Sequence, residues 1–245
     1  MHAFERGSYK KPATPHRVHT VSSRDLEGTS ASYDVHVYHD LHPHSRHLLV
    51  PPEIYSKIVH LGKEYGATPS VQTLLLSIIG GMFVALGAAT AFLVAGSLNQ
   101  APSSPEIDQH NYGVFKLVYS AVGYPFAFTA ITACGADLFT SVCIYTAVTW
   151  MEREMTALTV LKIGALSWAG NFIGCVTVAL LMHAGQIFDH HDAALIAAAE
   201  SKQALDWKVI FIRAMFANMC VGIATWLQSA ALDMTGKILA IWLPM

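Results

Sequence analysis

Charge is what this sequence has little of. Asp, Glu, Lys and Arg make up 13% of its 245 residues, against roughly 25% in an average soluble domain. The deficit is uneven. Long apolar stretches carry almost no charge, and the charged residues crowd between them. That segregation excludes an ordinary soluble core and points to a bilayer. The formal net charge of −2 supplies no broad basic surface, so no nucleic-acid partner is expected. Cysteine is also scarce. Cys134, Cys143, Cys175 and Cys220 form no CxxC pair, which excludes that type of zinc or redox motif. Each reads as a buried, small apolar residue. No apolar run occurs in the first 50 residues, so no signal peptide is expected and insertion would rely on the first spanning helix. The apolar stretches hold no nucleophile–base pair and no metal-ligand spacing. Neither an enzyme nor a cofactor or metal is expected.

What is present falls into three parts. Residues 1–50 are polar and hold eight of the thirteen histidines. His36, His39, His42, His44 and His47 resemble a metal or pH-sensing cluster by residue type. Nothing nearby would fix a coordination geometry, so the segment reads as a disordered cytosolic tail. Residues 51–66 read as an amphipathic helix, begun by Pro51-Pro52 and ended by Gly66. Ile54, Ile58 and Leu61 share one face, expected to lie on the membrane surface or a neighbouring subunit.

Residues 67–245 read as a transmembrane domain, giving an all-α, polytopic helical bundle. Apolar stretches run over about 71–98, 117–150, 163–184 and 209–232, with the start of a fifth at 238. Eight Lys/Arg precede the first span, one lies in 99–116 and two in 185–208. The excess of positive charge places the N-terminus in the cytosol.

The second stretch is too long for one plain span and is interrupted at Cys134-Gly135-Ala136-Asp137. An ionised side chain at that depth is costly unless paired or wetted. Irregular backbone is tolerated there only inside protein or along a cavity. GADLFT therefore reads as a re-entrant turn lining a permeation path. Asp137 and Thr140 are candidates to satisfy the freed backbone groups. Asp137 would also cap a helix restarting at Leu138, a role compatible with pore lining. Tyr124 and Phe128 lie on one helix face before the break, a spacing that suits a constriction and ordinary packing equally. Pro125 between them removes a backbone donor and favours a kink.

The segments CGADLFTS (134–141), GGMFVALGA (80–88), GNFIG (170–174), ANMCVGIATW (217–226) and DMTGKI (233–238) resemble the formate/nitrite transporter family in order and spacing over about residues 50–245. The resemblance implies an aquaporin-like channel fold, with two inverted repeats of three spans, assembled as a homopentamer. Such channels move formate, nitrite, hydrosulfide or lactate, usually with protons. Inverted repeats with discontinuous helices place the site at the midplane.

The resemblance also implies roles. Thr140 corresponds to a pore-facing threonine of the first broken loop, with Leu138 and Phe139 as its apolar neighbours and Gly135, Ala136 and Asp137 in the loop itself. Tyr124 and Phe128 correspond to the cytosolic constriction. Lys202 corresponds to an outer-vestibule lysine, although a solvated surface lysine fits its neighbours Glu200 and Asp206 as well. Asn218 and Val221 correspond to pore-side residues.

The family's second broken loop, G-F/Y-E-H-x-x-A-N, has no counterpart here. The chain is accordingly read as lacking spans five and six, about 45–60 residues by helix length, so that the second repeat is incomplete. His183, His190 and His191 read as loop residues that do not replace its central histidine.

The expected activity is passage of a small monocarboxylate or related anion, linked to protons, in a bilayer taken to be the plasma membrane. Burying a bare carboxylate is so costly that the anion takes up a proton instead. Two alternatives accompany this reading. One is a non-conducting subunit that modulates pentamer assembly. The other is a neutral-solute channel, which would be expected to carry paired Asn-Pro-Ala turns that are absent here.

Overall fold

The computed structural model describes residues 47–99, 105–188 and 192–245. Residues 1–46, with most of the histidine-rich tail, and His190 and His191 lie outside the described residues. Among the described residues the chain is helical, apart from one isolated antiparallel bridge between Leu48 and Ala231.

Helix α1 (Pro51–Ala67) begins where two prolines have no N–H to lose. The Glu53 carboxylate accepts the Val50 N–H at 3.0 Å and closes the start. Its apolar face does not wait for a membrane surface or a neighbouring subunit, as the sequence suggested. Ile54 and Ile58 are buried against Tyr145 and Ala230 of the same chain.

The remaining helices are α2 (Ser70–Asn99), α3 (Pro105–Cys134), α4 (Phe139–Met151), α5 (Ala157–Ala184), α6 (Asp192–Gln203), α7 (Trp207–Ala230) and α8 (Met234–Trp242). Helices α2, α5 and α7 are long and apolar enough to cross a membrane. Helices α3 and α4 meet at 58° across a short break and, counted together as one bent span, are also long and apolar enough to cross. Two segments between the expected spans are partly helical. Helix α3 starts within 99–116, and the Ala-rich α6 lies within 185–208. His183 sits in the last turn of α5 rather than in a loop.

Helix α2 is the centre of the packing, with α3 and α5 on its flanks and α6 against it as well. Without a hydrophobic force between helices in lipid, small residues must let backbones approach. A methyl on Gly174 would meet the Ile78 carbonyl, and one on Gly81 the Asn171 carbonyl. On the other flank, Gly87 lies against Gly123. Cysteines are not packed as the sequence suggested. Cys134 and Cys220 are exposed, Cys143 and Cys175 half-buried, and all four are free. The Cys175 thiol sits 3.2 Å from the Gly81 carbonyl oxygen.

The glycine contact predicts opposite outcomes at two positions of α5. Gly174→Val should lower stability by about 1–3 kcal/mol through overpacking. At Gly164 a Cβ would sit 3.7 Å from the Phe139 ring, an ordinary contact, so Gly164→Ala should be neutral or stabilising. Thermal unfolding of the two variants in the same detergent checks this.

Candidate functional site

The site is built around the gap between α3 and α4. Gly135 turns the chain out of α3 at φ +66°, a conformation that favours glycine. The following groups must find partners without water. The Ala136 N–H donates to the Ile131 carbonyl at 3.0 Å, and the Asp137 N–H to the Leu76 carbonyl of α2 at 3.2 Å. Asn171 of α5 supplies most of the rest. Its amide nitrogen donates to the Ser77 carbonyl at 2.6 Å and the Asp137 carbonyl at 2.8 Å. Its amide oxygen accepts the Phe139 N–H at 2.8 Å. Gly80 gives the room: a Cβ there would collide with the Asp137 carbonyl.

This corrects the expected roles of Asp137 and Thr140. The α4 N-cap is Leu138 and Asn171 accepts the first helical N–H, so Asp137 is not the cap. Asp137 is 3% exposed. Its side chain turns toward α1 and accepts the Tyr65 hydroxyl at 3.0 Å. Burial, and then the Asp137 charge, push the Tyr65 phenol up, which keeps it a donor. Thr140 Oγ1 and Asp137 Oδ2 are buried and meet no hydrogen-bond partner among the described residues.

On the α1 side of the break lies a cavity of about 240 Å³. Phe128, Gly135, Ala136 and Leu138 line it from the broken span, and Leu61 and Tyr65 from α1. Tyr145 stacks on Tyr65, with ring centroids 5.6 Å apart. Two cations enter the same space, Lys57 from α1 and Lys237 from α8. The Lys57 ammonium donates to the Ser229 carbonyl at 2.9 Å. Its burial, and then the Lys237 charge, hold it below the usual lysine range.

The expected pathway residues are thus partly united. Phe128, Leu138, Gly135 and Ala136 share the cavity wall. Val221 packs behind it, against the cluster of Phe128, Ala224 and Ile241. Tyr124 and Phe139, both half-buried, are not part of that wall. Lys202 on α6 and Asn218 on α7 are exposed and also lie outside it. Sequence reasoning missed Lys57, Tyr65 and Lys237. Lys57 directly precedes Ile58 of the α1 apolar face, and Lys237 sits inside DMTGKI, so both were visible only as members of a pattern. Asn171 was visible only as a letter of GNFIG. Among the described residues, no group of three or more potential metal ligands occurs.

Two substitutions probe the break. Asn171→Leu removes the acceptor and donors for three backbone groups. Tyr65→Phe strands one carboxylate oxygen, at a cost of about 1–3 kcal/mol. Unfolding midpoints should fall for both, with the larger loss at Asn171. A loss at Tyr65 equal to or larger than that at Asn171 would contradict the assignment of the break to Asn171.

The formate/nitrite transporter family model matches residues 52–245. A protein of Methanothermobacter thermautotrophicus named "Probable formate transporter" is 28% identical over 193 residues, covering 72% of this chain and 68% of that one. Formate-nitrite transporter 3 of Toxoplasma gondii is 28% identical over 200 residues, covering 80% of this chain but only 39% of its own length. Among solved structures, an FNT family ion channel superposes with a TM-score of 0.66 at 22% identity, covering 79% of this chain and 74% of that one. A pentameric formate channel with formate bound gives 0.58 at 20% identity, covering 71% and 66%. These similarities establish the helical channel fold and an integral membrane protein of a transporter class, not an enzyme. This chain belongs to the formate/nitrite transporter family.

Proposed function

We propose that this chain forms subunits of a homopentameric, proton-linked channel for formate or a related small monocarboxylate or anion. The N-terminus and α1 face the cytosol, and the plasma membrane is the membrane of residence. The observation that carries the reading is the pair of lysines, Lys57 and Lys237, converging on a small cavity whose floor is the mid-membrane break. A cation pair at the mouth of an apolar passage raises the local anion concentration. Phe128 and Leu138, on the wall beyond, offer no charge. A carboxylate moving between them loses hydration and gains a proton, since the bare anion is far costlier there than the acid. Support for the assembly and substrate comes from relatives named as formate transporters and from a pentameric formate channel of like fold.

Thr140 is a hydrogen-bond donor toward the passing oxygen in this scheme, its hydroxyl being buried and without a partner among the described residues. Tyr124 and Phe139 complete the narrow part. Val221 backs the apolar wall at Phe128, and Lys202 and Asn218 serve the opposite approach, where the exposed Lys202 attracts the anion as Lys57 does on the α1 side.

Uptake of labelled formate into proteoliposomes tests this. Lys57→Gln combined with Lys237→Gln should lower uptake at sub-saturating formate by about tenfold at low salt, the effect shrinking as salt rises. Assembled pentamers that pass neither formate nor lactate in wild-type form would overturn the reading.

A further inference from the structure

The cavity beside the break carries a second chemistry besides its two cations. Most polar side chains on its wall are already engaged within the protein. The Ser229 hydroxyl donates to the Thr225 carbonyl at 2.7 Å, and the Ser141 hydroxyl accepts from the Thr225 hydroxyl at 3.3 Å. The Tyr65 hydroxyl donates to Asp137, and Lys57 uses one N–H on the Ser229 carbonyl. Two side chains are left over. Gln228 of α7 is 6% exposed and lines the cavity, yet its amide oxygen meets no hydrogen-bond partner among the described residues. The Thr132 hydroxyl of α3, on the same wall, meets none either. The Tyr145 hydroxyl lies beside the Gln228 side chain and does not bond its oxygen.

Buried polar groups are nearly always paired, so two orphans around one cavity call for a polar occupant. Apolar cover alone, from lipid or another helix, would close the cavity and leave both oxygens unpaired. The placement of the groups says what kind of occupant fits. Gln228 directly precedes Ser229, whose carbonyl holds the Lys57 ammonium. Neighbouring Cα atoms are about 3.8 Å apart, so cation and amide stand side by side. A lysine has three N–H donors, and the two that Lys57 keeps suit a carboxylate. The amide oxygen needs the opposite, a donor. An ionised formate or nitrite has no proton to give. A monocarboxylate with a hydroxyl on the carbon next to the carboxylate carries both functions in one small molecule. The terminal torsion of glutamine is soft, so the amide oxygen turns to that hydroxyl with little strain. Size agrees as well. A single water needs only about 10–15 Å³ of free space, and the cavity offers about 240 Å³, more than a one-carbon acid fills.

We propose that Gln228, assisted by Thr132, is a specificity-determining residue of this cavity, selecting 2-hydroxy monocarboxylates over the same acids without the hydroxyl. The inference rests on the reading of this cavity as the anion's route. Lys57 and Lys237 take the carboxylate, and the Gln228 oxygen accepts a hydrogen bond from the hydroxyl. An acid of equal size without the hydroxyl displaces water from the amide and leaves it unpaired. That loss is a stronger ground for rejection than any difference in apolar contact.

Competition against labelled formate uptake into proteoliposomes tests this, with the signal of empty liposomes subtracted. The competitors are two matched pairs, lactate with propionate and glycolate with acetate. In the wild type the hydroxy acid of each pair should compete about tenfold more strongly than its partner. Gln228→Met keeps the length of the side chain without its amide and should bring the ratio close to one. Thr132→Val should lower it by a smaller factor. A packing defect would weaken both acids of a pair alike, so an undiminished ratio in Gln228→Met would overturn the assignment. A wild-type ratio of one or less would overturn it without any variant, and is the result expected if water or a side chain of a neighbouring copy fills the site. Wild-type protein that takes up no formate overturns the channel reading and this inference with it. Formate uptake with undiscriminated pairs overturns the inference alone.

Discussion

The structure depends on one amide side chain standing in for a missing half-turn of helix. A chain that breaks inside a bilayer exposes peptide groups where water is not available, and each must be met from within the protein. Asn171 meets three of them, holding the Ser77 and Asp137 carbonyls and the Phe139 N–H. An amide suits this position because it donates and accepts at the same time. A carboxylate there would have no N–H to give, and an aliphatic residue would leave three groups unsatisfied.

That role imposes conditions on the neighbours. Asn171 reaches α2 only because Gly80, Gly81, Gly170 and Gly174 let α2 and α5 approach at the same level. The break is then closed from the other side by α1, whose Tyr65 takes the Asp137 carboxylate. Helix α1 is held in turn by Lys57 on Ser229, by Thr149 on the Val59 carbonyl at 3.2 Å, and by Lys63 paired with Glu154 at 3.0 Å. The exposed ion pair adds little. The buried apolar contact of Ile54 and Ile58 contributes more. Packing at the break, the seat of α1 and the position of the lysines thus form one connected arrangement.

How much of this was legible follows from the range of each interaction. Spans are local: absence of charge over twenty-odd residues marks α2 and most of α5 without any knowledge of neighbours. The break was legible because Asp137 and Gly135 are out of place in an apolar run. Partners of the break were not. Asp137 was assigned to its own helix end because capping is the local role of that residue type, whereas its actual partner, Tyr65, lies 72 residues away. Thr140 failed for the same reason, since Asn171, 32 residues on from Phe139, had taken the N–H. Lys57 and Lys237 carry no signal that they meet, because a lysine beside an apolar helix face is normally solvated. The family resemblance marked Lys202 and left these two unmarked.

The clasp between Lys57 and Ser229 also has a consequence for how the molecule is made. Helix α1 leaves the ribosome before any of the spans, yet its seat at Ser229 and Ala230 is synthesised 172 residues after Lys57. At ordinary elongation rates that interval is on the order of ten to thirty seconds. Until α4 brings Tyr145, the amphipathic helix has no protein surface to cover Ile54 and Ile58, and the bilayer interface is the nearest substitute. Docking of α1 is therefore complete only once the end of α7 has been made. It reports that α7 has been threaded in the right direction, since a wrongly oriented α7 would carry its C-terminal end to the opposite face.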